Sequence, residues 1–330
     1  MEPQSNTPKW VWLLLTAAVF GVSSAGALFQ QVDDVPPLLR ASWRLQLTAI
    51  ILAPLAFVQW NIHKEQIKDK MYQSNTIKWL VASGFFLALH FGAWVASLDE
   101  TSLTHSLLFV TAHPLIIVFG MLVLAKFATK YRTPNKKEIL GACIGFLGAG
   151  LALVDQGSQQ GGHTVTIWGD FLAFLGAVFV VGYLISGRVL RKWMPIFVYA
   201  FIVTAFGAII MTIGSAVLES QYSEFGTFGW IGSEYLAWVL GIALVSGLFG
   251  HTGLNYALKY VQPLVISILV TLEPIVGSFI GWLLFDAGVP GLWTWIGGIP
   301  LIAGMVLIVY AQSDSENEAN SQTQISTGIQ

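Results

Sequence analysis

Charged residues are scarce in this chain of 330 residues. Lys and Arg number 16 and Asp and Glu 18, so charged side chains are 10% of the sequence and hydrophobic ones 55%. Soluble domains carry about 25% charged residues, so the pair of soluble domains that the length would allow is excluded. The net charge of −2 gives no basis for a nucleic-acid partner, and none is expected.

The chain also has only one cysteine and lacks several short motifs. Cys143 is the single cysteine and lies in an apolar run, so no disulfide can form within the chain. The Walker A pattern does not occur, and nothing therefore indicates that ATP drives the protein. No Asn-x-Ser/Thr sequon occurs, so glycosylation does not distinguish the plasma membrane from an endomembrane.

Apolar runs of roughly twenty residues fill the chain, and this is the length that crosses a bilayer as a helix. The mean hydropathy is +0.68. We therefore predict an all-α protein that spans the lipid bilayer with ten transmembrane helices. The predicted spans are 10–30, 36–60, 76–98, 101–125, 138–155, 166–187, 194–218, 235–258, 262–285 and 291–311.

Lys and Arg lie almost entirely on one side of these spans. Except for Arg40 and Arg44, which lie inside the second span, every Lys and Arg falls on the side that also holds the N-terminus. The loops on the opposite side carry Asp and Glu instead. Since positive residues collect in the cytosol, both termini are predicted to be cytosolic.

The two halves of the chain resemble each other. FVTAHPL, beginning at Phe109, corresponds to LVTLEPI, beginning at Leu269. Each half holds five spans, and an odd number inverts the second half relative to the first, as in many secondary transporters. The predicted organisation is a cytosolic N-terminus (1–9), a first repeat (10–155), a flexible outer linker (156–165), a second repeat (166–312) and a disordered cytosolic tail (313–330).

Several sequence stretches resemble the EamA family of the drug/metabolite transporter superfamily. Arg44 is followed ten residues later by Pro54, and GDFLAFLGA begins at Gly169. NYALK begins at Asn255 and LEPIVGSFIGWLL at Leu272. The resemblance implies a ten-helix carrier that exports or exchanges small metabolites, with both termini in the cytosol. The first repeat departs from the family in having His113 where Glu is frequent.

Two prolines coincide with ionisable residues near the middle of spans. Glu273 precedes Pro274 in the ninth span, and His113 precedes Pro114 at the corresponding place in the fourth. A charge at this depth is costly unless it faces a protein interior or a water-filled cavity. Proline also removes a backbone donor, so helix breaks are predicted at Pro114 and Pro274. We predict that Glu273 and His113 bind substrate or gate its passage.

The remaining candidates for substrate binding or gating lie at similar depths. His90 and His251 occupy corresponding positions in the third and eighth spans and are predicted to converge with Glu273 and His113. Arg44 lies two turns inside its span, so it either binds substrate or pairs with a carboxylate, whereas Arg40 is near enough to the interface to snorkel. Trp94 is a candidate apolar wall, and His105 is interpreted as interfacial.

The charges inside the spans favour a metabolite that is anionic or zwitterionic. A multidrug-type exporter of lipophilic or aromatic compounds is the alternative, and a metal-dependent enzyme within the membrane is a remote one, because His and carboxylate also bind zinc. No HExxH motif occurs, and neither metal, cofactor nor catalytic residue is expected. Glycines in spans five and ten predict close helix packing, with a homodimer through these spans as a further expectation.

Overall fold

The computed structural model describes residues 8–127, 133–160, 162–257 and 269–327, and the fold is almost entirely helical. Short 3₁₀ helices occupy Gln30–Val32, Leu153–Asp155 and Ser220–Phe225, and a π-helix occupies Ile242–Thr252. The α-helices are α1 (Lys9–Ser23), α2 (Ala25–Phe29), α3 (Pro37–Met71), α4 (Ser74–Glu100), α5 (Leu103–Val110), α6 (His113–Phe127), α7 (Lys136–Ala152), α8 (Ile167–Leu190), α9 (Ile196–Leu218), α10 (Leu236–Gly241), α11 (Gly253–Ala257), α12 (Glu273–Phe285) and α13 (Leu292–Thr327).

Seven helical stretches in the described ranges are long and apolar enough to cross a membrane, counting α5 and α6 together. The bent pair α1 and α2, which meet at 41°, raises the number to eight. Two shorter apolar helices, Leu236–Thr252 and Glu273–Phe285, fall where the eighth and ninth spans were predicted. Residues 258–268, from the end of the eighth predicted span into the start of the ninth, lie outside the described residues.

The second span is longer than the sequence predicts. Helix α3 continues past the predicted end at residue 60 to Met71. The added residues are polar and include Glu65 and Lys68, whose charged groups lie 2.6 Å apart at a spacing of i, i+3. Such a segment can continue a helix into water, because helix propagation adds one hydrogen bond per residue once the helix is nucleated.

The predicted linker and tail both differ from the structure. Residues 156–165 were predicted to be flexible, but β1 (Gln159–Gln160) and β2 (His163–Thr164) pair there as a short antiparallel hairpin. The tail was predicted to be disordered, but α13 continues as a helix to Thr327. No proline or glycine interrupts the sequence between Gly304 and that residue, so nothing local ends a helix already nucleated in the preceding span.

Four pairings of helices organise the bundle. Helix α4 packs along α8, α3 along α9, α7 along α13, and α1 along the π-helix. The largest buried apolar cluster joins α4, α5, α9 and α13. Large apolar side chains such as Leu13 and Leu147 are about 70% exposed on the outside, as a surface in contact with lipid requires.

Glycines hold α7 and α13 close together. A Cβ at Gly141 would lie 2.8 Å from the carbonyl oxygen of Gly304, and one at Gly148 would collide with the backbones of Leu301 and Gly297. Small residues let helix backbones approach in this way. The predicted close packing of spans five and ten therefore occurs within one chain, and the homodimer stays a prediction.

Replacing Gly148 by Ala is expected to destabilise the fold by about 1–3 kcal/mol, the usual cost of overpacking. Gly150 on the same helix is the matched control, because nothing lies within 4 Å of a Cβ added there. Gly150→Ala is expected to be neutral or slightly stabilising. Unfolding midpoints in detergent measure both, and equal midpoints for the two variants would contradict the packing described.

Candidate functional site

A cavity lies between α3, α4, α8, α9 and the π-helix. Its volume is about 80 Å³, and its wall is mainly apolar with a few polar and charged side chains. Among the described residues that line it are Arg44, His90, Phe91 and His251, and none of those lining residues is Asp or Glu. The cavity therefore offers cationic and neutral polar groups without a compensating carboxylate on its described wall.

Arg44 is the buried charge at this cavity. Its side chain points inward from α3 and the residue is 3% exposed. The guanidinium carbon lies 3.8 Å from the ring centroid of Phe91, and Nη2 donates to Ser246 Oγ at 3.4 Å. Within the described ranges, Nε and Nη1 have no hydrogen-bond partner. Since a buried cation without partners is costly, its free nitrogens are suited to bind an anion.

Arg40, one turn earlier on α3, has a different environment. Arg40 is 1% exposed. Its Nη2 is ion-paired with the carboxylate of Asp99, and its Nη1 donates to the Phe29 carbonyl at 3.1 Å. The prediction that Arg40 snorkels to the interface is therefore wrong. A carboxylate on the neighbouring helix α4 reaches the guanidinium, so the side chain has no need to reach water.

His90 and His251 approach the same aromatic ring from two helices. The rings of His90 and Phe91 have centroids 4.8 Å apart, and those of Phe91 and His251 are 6.4 Å apart. His90 Nδ1 lies 2.9 Å from the carbonyl oxygen of Gly176, which can only accept, so Nδ1 carries the proton and Nε2 is left for other contacts. Both histidines line the cavity together with Arg44.

The π-helix that carries His251 could not be recognised from the sequence. Ile242–Thr252 forms i to i+5 hydrogen bonds where an ordinary helix was predicted. A Cβ at Gly250 in this segment would lie 2.8 Å from the backbone nitrogen of Val22 on α1. The glycines are the one signal available, and π-helical turns often occur at functional sites.

Trp94 stands behind His90 rather than on the cavity wall. The two rings are stacked, with centroids 6.1 Å apart and planes inclined by 12°. Trp94 is 4% exposed, and its indole Nε1 has no hydrogen-bond partner among the described residues. The residue fixes the plane of the His90 ring, and this is a supporting position.

Both proline positions interrupt their helices. Helix α5 ends at Val110 and α6 begins at His113, immediately before Pro114. Leu272 is in a turn, and α12 begins at Glu273 before Pro274. The missing proline N–H and the clash of its ring with the preceding turn account for the interruptions.

Glu273 and His113 are half-buried at these breaks. Neither is among the residues that line the cavity. The Glu273 carboxyl is nevertheless close enough to act electrostatically on Arg44, and His113 acts on His90 in the same way. The structure thus brings His90 and His251 together with Arg44, and places the two breaks behind them.

If the Glu273 carboxyl contacts substrate or carries a coupling proton, Glu273→Gln is expected to abolish transport while the protein still folds and reaches its membrane. Glu273 is the carboxylate whose charge acts on Arg44, and the amide keeps the shape but removes that charge. Uptake and folded yield of the purified variant measure the two effects separately. Wild-type uptake by the variant would remove Glu273 from the mechanism, and loss of folding would assign it a structural role.

His105, interpreted from the sequence as interfacial, is fully buried within the protein. Its Nδ1 lies 3.0 Å from a carboxylate oxygen of Asp170, and its Nε2 lies 2.8 Å from Thr294 Oγ1. Thr294 in turn donates to Asp155 at 2.7 Å, and Gln160 of the hairpin donates to Thr294 at 3.3 Å. This network ties α5, α8, α13 and the hairpin together at one end of the bundle.

The comparison with known families agrees with these features. The model of the EamA-like transporter family matches residues 8–154 and again residues 167–310. The chain belongs to the EamA-like transporter family. The family predicted from Arg44, Pro54 and the stretches around them is thereby confirmed. The protein is an integral, multi-pass membrane protein with a general role in transport.

Two further similar proteins have names that state no substrate. The chain is 24% identical over 269 residues to "Uncharacterized transporter YxxF" of Bacillus subtilis (strain 168), covering 79% of this chain and 78% of that protein. A solved structure titled "Crystal structure of protein" aligns with 90% of this chain and 96% of that chain at 16% identity, with a TM-score of 0.45.

Proposed function

We propose that this EamA-like protein is a secondary transporter that exports or exchanges a small organic anion or zwitterion through the Arg44 cavity. The observation that carries the proposal is the buried guanidinium of Arg44, whose Nε and Nη1 lack partners in the described part of the chain. A carboxylate or phosphate would supply those partners with short, charge-assisted hydrogen bonds.

The charge of the cavity wall favours an anionic substrate group. Arg44 places a fixed positive charge there, and no described lining residue is acidic. Glu273 acts on Arg44 from outside the lining, so it moderates the positive field. Low-dielectric walls strengthen the remaining field, which favours a metabolite with carboxylate or phosphate over a lipophilic cation.

The proposed architecture is ten spans in two inverted repeats, with both termini in the cytosol. Helix α4 packs on α8, which is span three against span six, and α1 packs on the π-helix, which is span one against span eight. A two-fold axis that exchanges the two halves would convert the first pair into the second. The pairs α3 with α9 and α7 with α13 relate spans two and five to their counterparts seven and ten. The double match of the family model also supports the repeat.

Single cysteines introduced into a Cys143→Ser background test this topology. Those at Gln159 and Gln221 are expected to react with an impermeant thiol reagent added outside intact cells, because both lie in predicted outer loops. Those at Gln66 and Ser315 are expected to react only after the membrane is opened. Labelling of all four from one side would contradict the ten-span topology.

A thermal-shift screen of the purified protein tests the substrate class. The panel contains dicarboxylates, sugar phosphates, amino acids and, as the opposing class, tetraphenylphosphonium. A ligand at 100 times its dissociation constant adds about 2.7 kcal/mol to the stability of the folded state. Stabilisation by anions or zwitterions is expected, and stabilisation by the cation alone would overturn the proposal.

A multidrug-type exporter of aromatic compounds is the second candidate. It is favoured by the aromatic side chains of Phe91, Tyr183 and Tyr199 on the cavity wall. The same thermal-shift panel separates the two candidates, because aromatic cations would then displace the anions.

The remote alternative is a metal-dependent enzyme within the membrane. The described residues hold no group of three or more His, Cys, Asp or Glu able to bind a metal ion.

A further inference from the structure

A second arginine lines the same cavity as Arg44. Arg191 follows the last residue of α8, and its backbone N–H donates to the Gly187 carbonyl at 2.8 Å. In the sequence it belongs to a cluster of basic residues that indicates membrane topology. In the structure its side chain lies on the cavity wall, and its Nε is inaccessible and has no partner among the described residues.

Two tyrosines, Tyr183 and Tyr199, line the cavity together with the two arginines. Tyr183 is close enough to interact electrostatically with both Arg44 and Arg191. Its ring stacks on Tyr199, with centroids 6.4 Å apart, and the Tyr199 hydroxyl lies 2.7 Å from Ser83 Oγ. Tyr183 precedes Arg191 by eight residues, which is about 12 Å along a helix. Arg44 on α3 and Arg191 at the end of α8 thus reach one cavity from two different helices.

We propose that the cavity selects dianions, with one anionic group bound at Arg44 and the second at Arg191. A dicarboxylate or a phosphorylated carboxylate has this chemistry, and the proposal rests on the proposed function of the cavity as the transport site. The carbon chain between the two groups passes Tyr183 and Tyr199, whose rings and hydroxyls suit a short polar metabolite.

The electrostatic reason for dianion selectivity is the lack of carboxylates on the described cavity wall. No described lining residue is Asp or Glu, so neither guanidinium is neutralised by the cavity wall. A monoanion bound at Arg44 leaves the half-buried Arg191 with its Nε unpartnered among the described residues, which carries a desolvation cost. A dianion of suitable length satisfies both guanidiniums at once, each through charge-assisted hydrogen bonds.

Calorimetric titration with a dicarboxylate and its monomethyl ester tests the inference. The probes are succinate, glutarate and adipate, each beside its monoester, added to the full-length purified protein. For at least one chain length, the wild type is expected to bind the dianion at least about tenfold more tightly than the monoester, the value of one charged hydrogen bond. In Arg191→Gln this ratio is expected to fall to about one, while the affinity for the monoester is unchanged.

Two further variants serve as controls for this titration. Lys192→Gln removes the neighbouring charge, which is exposed and not on the cavity wall, and should keep the wild-type ratio. Arg191→Lys should keep part of it, even if Arg191→Gln folds poorly. Equal weakening of dianion and monoester in Arg191→Gln, or equal affinities in the wild type, would overturn the dianion proposal alone. If no carboxylate binds and tetraphenylphosphonium does, the proposed function itself fails.

Discussion

Arg44→Gln is expected to abolish uptake of organic anions and to leave the protein folded. The guanidinium is the buried group at the cavity whose nitrogens Nε and Nη1 await a partner. Removing one side of a buried, charged hydrogen-bonded pair costs about 2–5 kcal/mol, so affinity should fall at least about 30-fold. Uptake into liposomes containing the purified variant measures this loss.

The stability of the Arg44→Gln variant, unlike its uptake, should not fall. Arg44 has one long hydrogen bond, at 3.4 Å to Ser246, and the described residues give it no ion pair. Replacing a buried charge that lacks a paired partner should therefore leave the unfolding midpoint unchanged or raise it. Arg188→Gln, the same substitution at an exposed position, is the matched control and should keep both uptake and stability. A strong loss of stability in Arg44→Gln would show that the residue is structural.

Arg40→Gln is expected to have the largest effect on folding. Arg40 is paired with Asp99 and donates to the Phe29 carbonyl, so its removal leaves a carboxylate without its countercharge at the end of α4. Breaking a buried pair by removing one partner costs about 3–5 kcal/mol. Denaturant unfolding in detergent should show this loss in the single variant.

The double variant Arg40→Gln with Asp99→Asn separates the pair from the individual residues. Neutralising both partners removes the unpaired charge, and most of the lost stability should return. Because Asp99 is still 28% exposed, the loss should lie at the lower end of that range. Equal stability of the wild type and the single Arg40→Gln variant would restore the interpretation that Arg40 snorkels.

The contrast between Arg40 and Arg44 shows what the sequence could and could not reveal. Hydropathy gives the depth of each residue along its span, and on that basis Arg44 was predicted to be the deeper charge. The partner of Arg40 is 59 residues away in the sequence, on α4. Which faces of two helices meet depends on packing between helices, and a single sequence carries no direct signal for it.

The same limit explains the other differences. His105 was assigned to the interface by its depth alone, but Asp170 and Thr294, 65 and 189 residues away, surround it in the fold. Arg191 was interpreted as a topology signal because it follows the apolar run of span six. By contrast, the helix breaks before Pro114 and Pro274 were predictable, since proline acts on its own backbone.

Counterflow in proteoliposomes tests the central claim most directly. Liposomes containing the purified protein are loaded with an unlabelled anion that stabilises it in the thermal-shift screen, and entry of the same labelled compound is followed. We predict rapid labelled uptake by the wild type and by Arg188→Gln, and none by Arg44→Gln at equal protein content. Uptake by Arg44→Gln at the wild-type rate would contradict the assignment of this cavity as the transport site.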